Sequence, residues 1–69
     1  MALLFANVGE QGSIKKIAGN ENSRKFLETL GFVTGSFVTV ITKSGGNIIV
    51  SIKESRIAIS REMASKIYI

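Results

Sequence analysis

The fold this sequence predicts is mainly β: a small barrel or sandwich of about five strands with one short inserted helix. Three observations predict it. Strand-period alternation recurs at close spacing in the second half: "NIIVSIK" on Ile48, Val50 and Ile52, "RIAIS" on Ile57 and Ile59, and "KIYI" on Ile67 and Ile69. Seven glycines punctuate the chain, the Gly45-Gly46 pair between two strand-like runs. Only one stretch, "NENSRKFLETLG", carries helix start and stop signals together.

Taken in order, "GSIKKIAG" (Gly12 to Gly19) has Ile14 and Ile17 as apolar anchors between two glycines and reads as one short strand. "NENS" then supplies N-cap chemistry, because Asn and Ser side chains accept from free backbone N–H groups. The helix is expected over Ser23 to Leu30. Phe26, Leu27 and Leu30 form its apolar face, with Arg24 and Glu28 four apart on the outside. Gly31 ends it. At C′ a glycine takes the left-handed conformation without a Cβ penalty, and Phe32 at C″ should fold back on Leu27. Val33 to Ser36 reads as a tight turn with Gly35 at positive φ. The strand "FVTVIT" starts at once, and periodicity places Phe26, Phe32 and Phe37 in packing positions. Gly45-Gly46 marks a short hairpin. "SIKE" (Ser51 to Glu54) fits a capping box but lies in strand periodicity and is discounted. "REMA" has the length of a single helical turn before the last strand. Closing the sheet would remove the edges a hydrophobic chain cannot safely expose.

Composition restricts the chemistry. A chain of 69 residues is expected to be one domain spanning 1–69. A domain of this size buries only about 60% of its unfolded surface. Cys, His and Asp are absent, and every acid is a Glu: Glu10, Glu21, Glu28, Glu54 and Glu62. Disulfides and thiolate or imidazole metal sites are excluded. The dispersed Glu side chains read as solvated surface, so no metal or cofactor residue is assigned. Nucleophile–base pairs that use His, Cys or Asp cannot exist. The one Ser-x-x-Lys pair, Ser13 and Lys16, falls on opposite faces of a strand. No P-loop or G-x-G-x-x-G occurs, and no enzyme is expected. The N-terminus lacks a charged n-region, and no segment approaches the roughly 20 apolar residues of a membrane span. The expectation is a cytoplasmic protein without membrane insertion.

What remains is binding. The net charge of +4 favours an acidic or mixed partner face. Lys15, Lys16, Arg24, Lys25 and Tyr68 are the interface candidates, Tyr68 because it alternates away from Ile67 and Ile69. Plain solvation is the ordinary fate of any one of them. Self-association is a further option. Nucleic acid is the rival: small barrels bind single strands through basic grooves interleaved with aromatics, but one exposed aromatic is no stacking platform. Proline-peptide recognition is weaker still, since Trp is absent and Tyr occurs once.

The stretch "FLETLGFVTGSFVTVI" resembles the signature of the ferrous iron transport protein A (FeoA) family: a short helix ending in Leu-Gly-Phe, a turn, a glycine and a β-branched strand. The opening "GEQGSIKKIAG" and the closing "SRIAISREMASKIYI" extend the likeness over nearly the whole chain. Phe26, Leu27, Leu30, Gly31, Phe32 and Gly35 carry its fold-determining part. Thr34 and Ile48 stand where the family often has Pro, and Glu54-Ser55 where a glycine usually precedes the "RIAI" strand. The resemblance implies an SH3-like barrel, and an accessory or regulatory subunit beside a membrane ferrous-iron permease with a cytosolic G-domain. Family members are sometimes described as binding transition metals. The same module occurs behind DNA-binding domains in metal-dependent repressors. This chain has no room for a helix-turn-helix, so the stand-alone form is expected.

Overall fold

Six strands and two helices build the domain, in a computed structural model that describes residues 1–69. A 3₁₀ turn at Leu3–Phe5 is followed by β1 (Gln11–Ser13), β2 (Lys16–Ile17), α1 (Glu21–Thr29), β3 (Phe37–Ser44), β4 (Asn47–Ile52), β5 (Ser55–Ser60), α2 (Arg61–Ala64) and β6 (Ile67–Tyr68). All pairings are antiparallel. One sheet has the order β1-β3-β4-β5, and β2 pairs with β6 in a second, smaller one. Ala2 bridges to Tyr68, which ties the start of the chain to that second sheet.

The expected first strand is two. Ile14 is buried, its N–H donating to the Ser36 carbonyl and its carbonyl accepting from Gly35 N–H. Lys15 N–H donates instead to the Tyr68 carbonyl. The chain therefore changes sheets between Ile14 and Lys15. A local pattern cannot show this, because both halves keep strand geometry and only their partners differ. This division gives six strands where about five are expected.

Helix α1 starts two residues before the expected Ser23, because Asn20, the first residue of "NENS", is its N-cap; the Asn20 Oδ1 accepts from Ser23 N–H at 2.8 Å. Its C-terminus follows expectation. Gly31 has φ +102°, its N–H donates to the Glu28 carbonyl, and Phe32 N–H donates to the Leu27 carbonyl at 3.0 Å. These are the two bonds of a Schellman motif. Phe32 and Leu27 are both fully buried. Phe26 is not: 51% of it is exposed. A nine-residue helix on a small barrel buries a narrow stripe. Leu27 and the half-buried Leu30 fill it, while Phe26 lies about 100° round from Leu27.

Phe37 is also a correction, at 64% exposed. Val38 and Val40 are fully buried, so the alternation of β3 turns Phe37 and Thr39 outward. The register of β3 on β4 shifts between Val40 and Thr42, which leaves Ile41 as a bulge. Gly45, with φ +55°, turns the β3–β4 hairpin where the Gly-Gly pair indicates. The β4–β5 turn is Lys53-Glu54 and not Glu54-Ser55; both its residues are left-handed, with φ 47° and 67°.

Ile48, Val50, Ile52, Ile59 and Ile67 enter the core as their alternation predicts. The N-terminal segment joins them. Leu3 and Ala6 are fully buried, although the sequence gives this stretch no periodic signal. Gly12 has a packing reason to lack a side chain, since a Cβ there would lie 2.9 Å from Ile69 Cβ.

Candidate functional site

A groove of about 300 Å³ opens where the β1–β2 corner, α1 and the turn after α1 meet. Lys15, Lys16 and Ile17 come from the corner, Arg24 and Glu28 from the helix, and Phe32, Val33 and Thr34 from the turn. The change of sheets at Ile14 puts two successive lysines at the rim. The Schellman cap returns the chain beneath the helix and brings Phe32 and Val33 to the floor. The groove thus has cationic walls, and the apolar surface it offers comes from the half-buried Ile17 and Val33, with Phe32 fully buried beneath.

Three of the five predicted interface residues, Lys15, Lys16 and Arg24, line this groove. Tyr68 sits beside it: it is the cross-strand partner of Lys16 in the β2–β6 ladder, and the Lys16 Nζ lies 5.7 Å from its ring centroid. Lys25 is not among the lining residues. It points to solvent and pairs with Glu21 at 3.1 Å along the helix. Arg24 and Glu28, four apart in the weaker order for an ion pair, do not pair; the ion pairs present are Lys25–Glu21 and, at 4.0 Å, Lys66–Glu62.

The uneven pairing of charge matters most. Lys25 and Lys66 have carboxylates, and the Lys43 Nζ donates to the Leu4 carbonyl at 3.0 Å. Lys15, Lys16, Arg24, Lys53, Arg56 and Arg61 have no carboxylate within bridging distance. Three of these unpaired cations face one groove, against the single carboxylate of Glu28. Sequence reasoning named the cations but missed the floor, because Phe32, Val33 and Thr34 read only as cap and turn. A smaller hollow of about 70 Å³ lies at the β3–β4 hairpin between Leu4, Lys43 and Arg61.

No three His, Cys, Asp or Glu side chains come close enough to hold a metal ion. The exposed aromatics Phe5, Phe26 and Phe37 are not in the groove lining, so no base-stacking platform accompanies its charge.

The FeoA domain profile matches residues 1–69. A protein of Methanocaldococcus jannaschii described as an Fe(2+) transport protein A is 39% identical over 67 residues, 97% of this chain and 82% of that protein. The crystal structure of an iron uptake regulatory protein, FeoA, superimposes with a TM-score of 0.88 at 30% identity, over 96% of this chain and 88% of that one. The FeoA of Stenotrophomonas maltophilia, a prokaryotic SH3 domain protein crystallised with zinc, gives a TM-score of 0.86 at 22% identity, over 99% and 87% of the two chains. The barrel is SH3-like.

Proposed function

The chain belongs to the FeoA domain family, whose role is in ferrous iron transport, and from that premise we propose that it is an accessory subunit docking on the cytosolic part of a membrane Fe(II) permease. The concentration of unpaired cations at one groove is the observation that supports docking. Lys15, Lys16 and Arg24 form its contact face, with Tyr68 at the margin and Lys25 contributing only long-range charge. The absence of His, Cys and Asp fits a subunit that acts by binding and not by chemistry of its own. No helix is long and apolar enough to cross a membrane. The proposed location, on the cytoplasmic side, follows from the partner.

The family's description as metal-binding does not transfer to these residues. The zinc-bound relative is one case, but the donor set here is five carboxylates with no three together. Ferrous iron is the permease's cargo in this reading, and no step is routed through a metal on this chain.

Binding of the purified domain to the whole permease in detergent, or to its soluble G-domain, tests the proposal. Association should slow as salt shortens the Debye length to about 8 Å at physiological ionic strength. Charge reversal at Lys15, Lys16 and Arg24 should weaken binding without unfolding the domain, and Lys25→Glu should do less. Tight binding to single-stranded RNA with none to the permease, together with intact iron uptake in a deletion strain, would overturn the reading.

A further inference from the structure

The groove's walls and floor specify more than a positive face. Lys15 and Lys16 stand on the corner between β1 and β2, and Arg24 stands on α1 across from them. The base between is Ile17, Phe32 and Val33, of which Phe32 is fully buried and the other two half-buried. Phe32 has no surface left to cover, but a bare anion would leave Ile17 and Val33 uncovered. A nucleic-acid strand would need exposed rings to stack on. The one ring at the rim, Tyr68, already lies against the Lys16 ammonium. An extended acidic peptide satisfies both parts, since one apolar side chain can cover the base while carboxylates on either side reach the cations.

We propose that the groove of Lys15, Lys16 and Arg24 receives a short extended acidic segment, with a single apolar residue on Ile17 and Val33 and carboxylates flanking it. This rests on the docking reading only for the source of the segment, the cytosolic part of the permease; the recognition chemistry is a property of the groove alone. Glu28 then has a definite role. As the one acid in the lining, it opposes the ligand's charge and limits affinity, so the groove is set for reversible docking.

The experiment titrates the ¹⁵N-labelled full chain with a blocked peptide of four glutamates around a central leucine. The same peptide with glutamine for glutamate, inorganic phosphate and an oligouridylate serve as comparisons. The glutamate peptide should shift the amides of Lys15, Lys16, Ile17, Arg24, Phe32 and Val33. The glutamine peptide should bind at least about tenfold more weakly. Arg24→Glu should abolish the shifts while the spectrum stays dispersed. Glu28→Gln should tighten binding by about two- to fivefold, a gain that a misfolded variant cannot mimic. Shifts that fall elsewhere, equal binding of the glutamine peptide, stronger binding of phosphate or oligouridylate, or no gain from Glu28→Gln would each overturn the proposal. The two readings can fail separately. Peptide binding in the groove that does not compete with the permease upholds the groove's chemistry and removes the permease as its source. Permease binding that the groove variants do not affect removes the groove.

Discussion

At Gly31 a single residue decides whether the chain can leave the helix and return beneath it. Its φ of +102° is a conformation that L side chains rarely adopt, yet an added Cβ would meet only the Lys53 side chain, at an ordinary 3.5 Å from Cδ. The requirement is therefore of the backbone and not of space. Gly31→Val should cost about 1–3 kcal/mol, read as a lower denaturant midpoint, and equal midpoints would remove the cap argument. Glu54 is the converse case. With φ 67° it occupies the left-handed region without being glycine, at the second position of a two-residue hairpin. Relief of strain worth about 1–2 kcal/mol exceeds the added unfolded-state entropy of glycine, about 0.5–1 kcal/mol. Glu54→Gly should therefore raise stability by up to about 1 kcal/mol, and a lower melting temperature would contradict this account.

Among the elements, α1 depends on its two ends as well as on its face. The helix is nine residues long, below the length at which an isolated helix is stable, and it buries Leu27 fully and Leu30 in part. The Asn20 side chain satisfies the Ser23 N–H and the Schellman bonds satisfy the Leu27 and Glu28 carbonyls, among the groups that a short helix leaves free. Asn20→Ala should lower stability by about 1 kcal/mol. Because Arg24 depends on this helix, the same change should also weaken the proposed permease docking, whereas Ser60→Ala at α2 should destabilise without touching the groove. An unchanged unfolding midpoint for Asn20→Ala would show that packing alone holds the helix. The split between β1 and β2 acts at this scale too. It gives Lys15 and Lys16 their place at the groove, and it depends on the bonds of Ile14 to Gly35 and Ser36.

For the molecule as a whole, stability comes from one cluster of thirteen buried apolar residues drawn from both sheets, α1, α2 and the N-terminal turn. Charge adds little to it, since the two ion pairs involve largely exposed carboxylates. With five glutamates and no three metal-donor side chains together, a tight ferrous site on the monomer is not expected. Anaerobic calorimetry with Fe²⁺ should show no stoichiometric binding in the micromolar range, and a sharp one-to-one isotherm would reveal a carboxylate site. Docking by charge should give the reverse for the proposed permease partner: association that slows with added salt, most of all for the wild type and least for a Lys15, Lys16 and Arg24 charge-reversal variant. A salt-independent rate would mean that apolar contact, not charge, directs the encounter.

By itself the sequence determined whatever local chemistry decides. The left-handed glycines at 31 and 35, the hairpin at Gly45-Gly46, the single-turn "REMA" helix, the alternation of Ile48, Val50 and Ile52 and the absence of catalytic donor types were all legible there, because backbone conformation and strand period act over a few residues. Which apolar residues face inward was legible only in part. Phe26 and Phe37 belong to apolar runs, and the barrel has room for one side of each run; Leu27 and Val38 take it. The tertiary structure alone decided the change of sheets at Ile14, the burial of Leu3 and Ala6, and the meeting of Lys15, Lys16 and Arg24 over Phe32 and Val33. These depend on partners distant along the chain, such as Tyr68 for Lys15, and a pairing of that range leaves no period in the residues that make it.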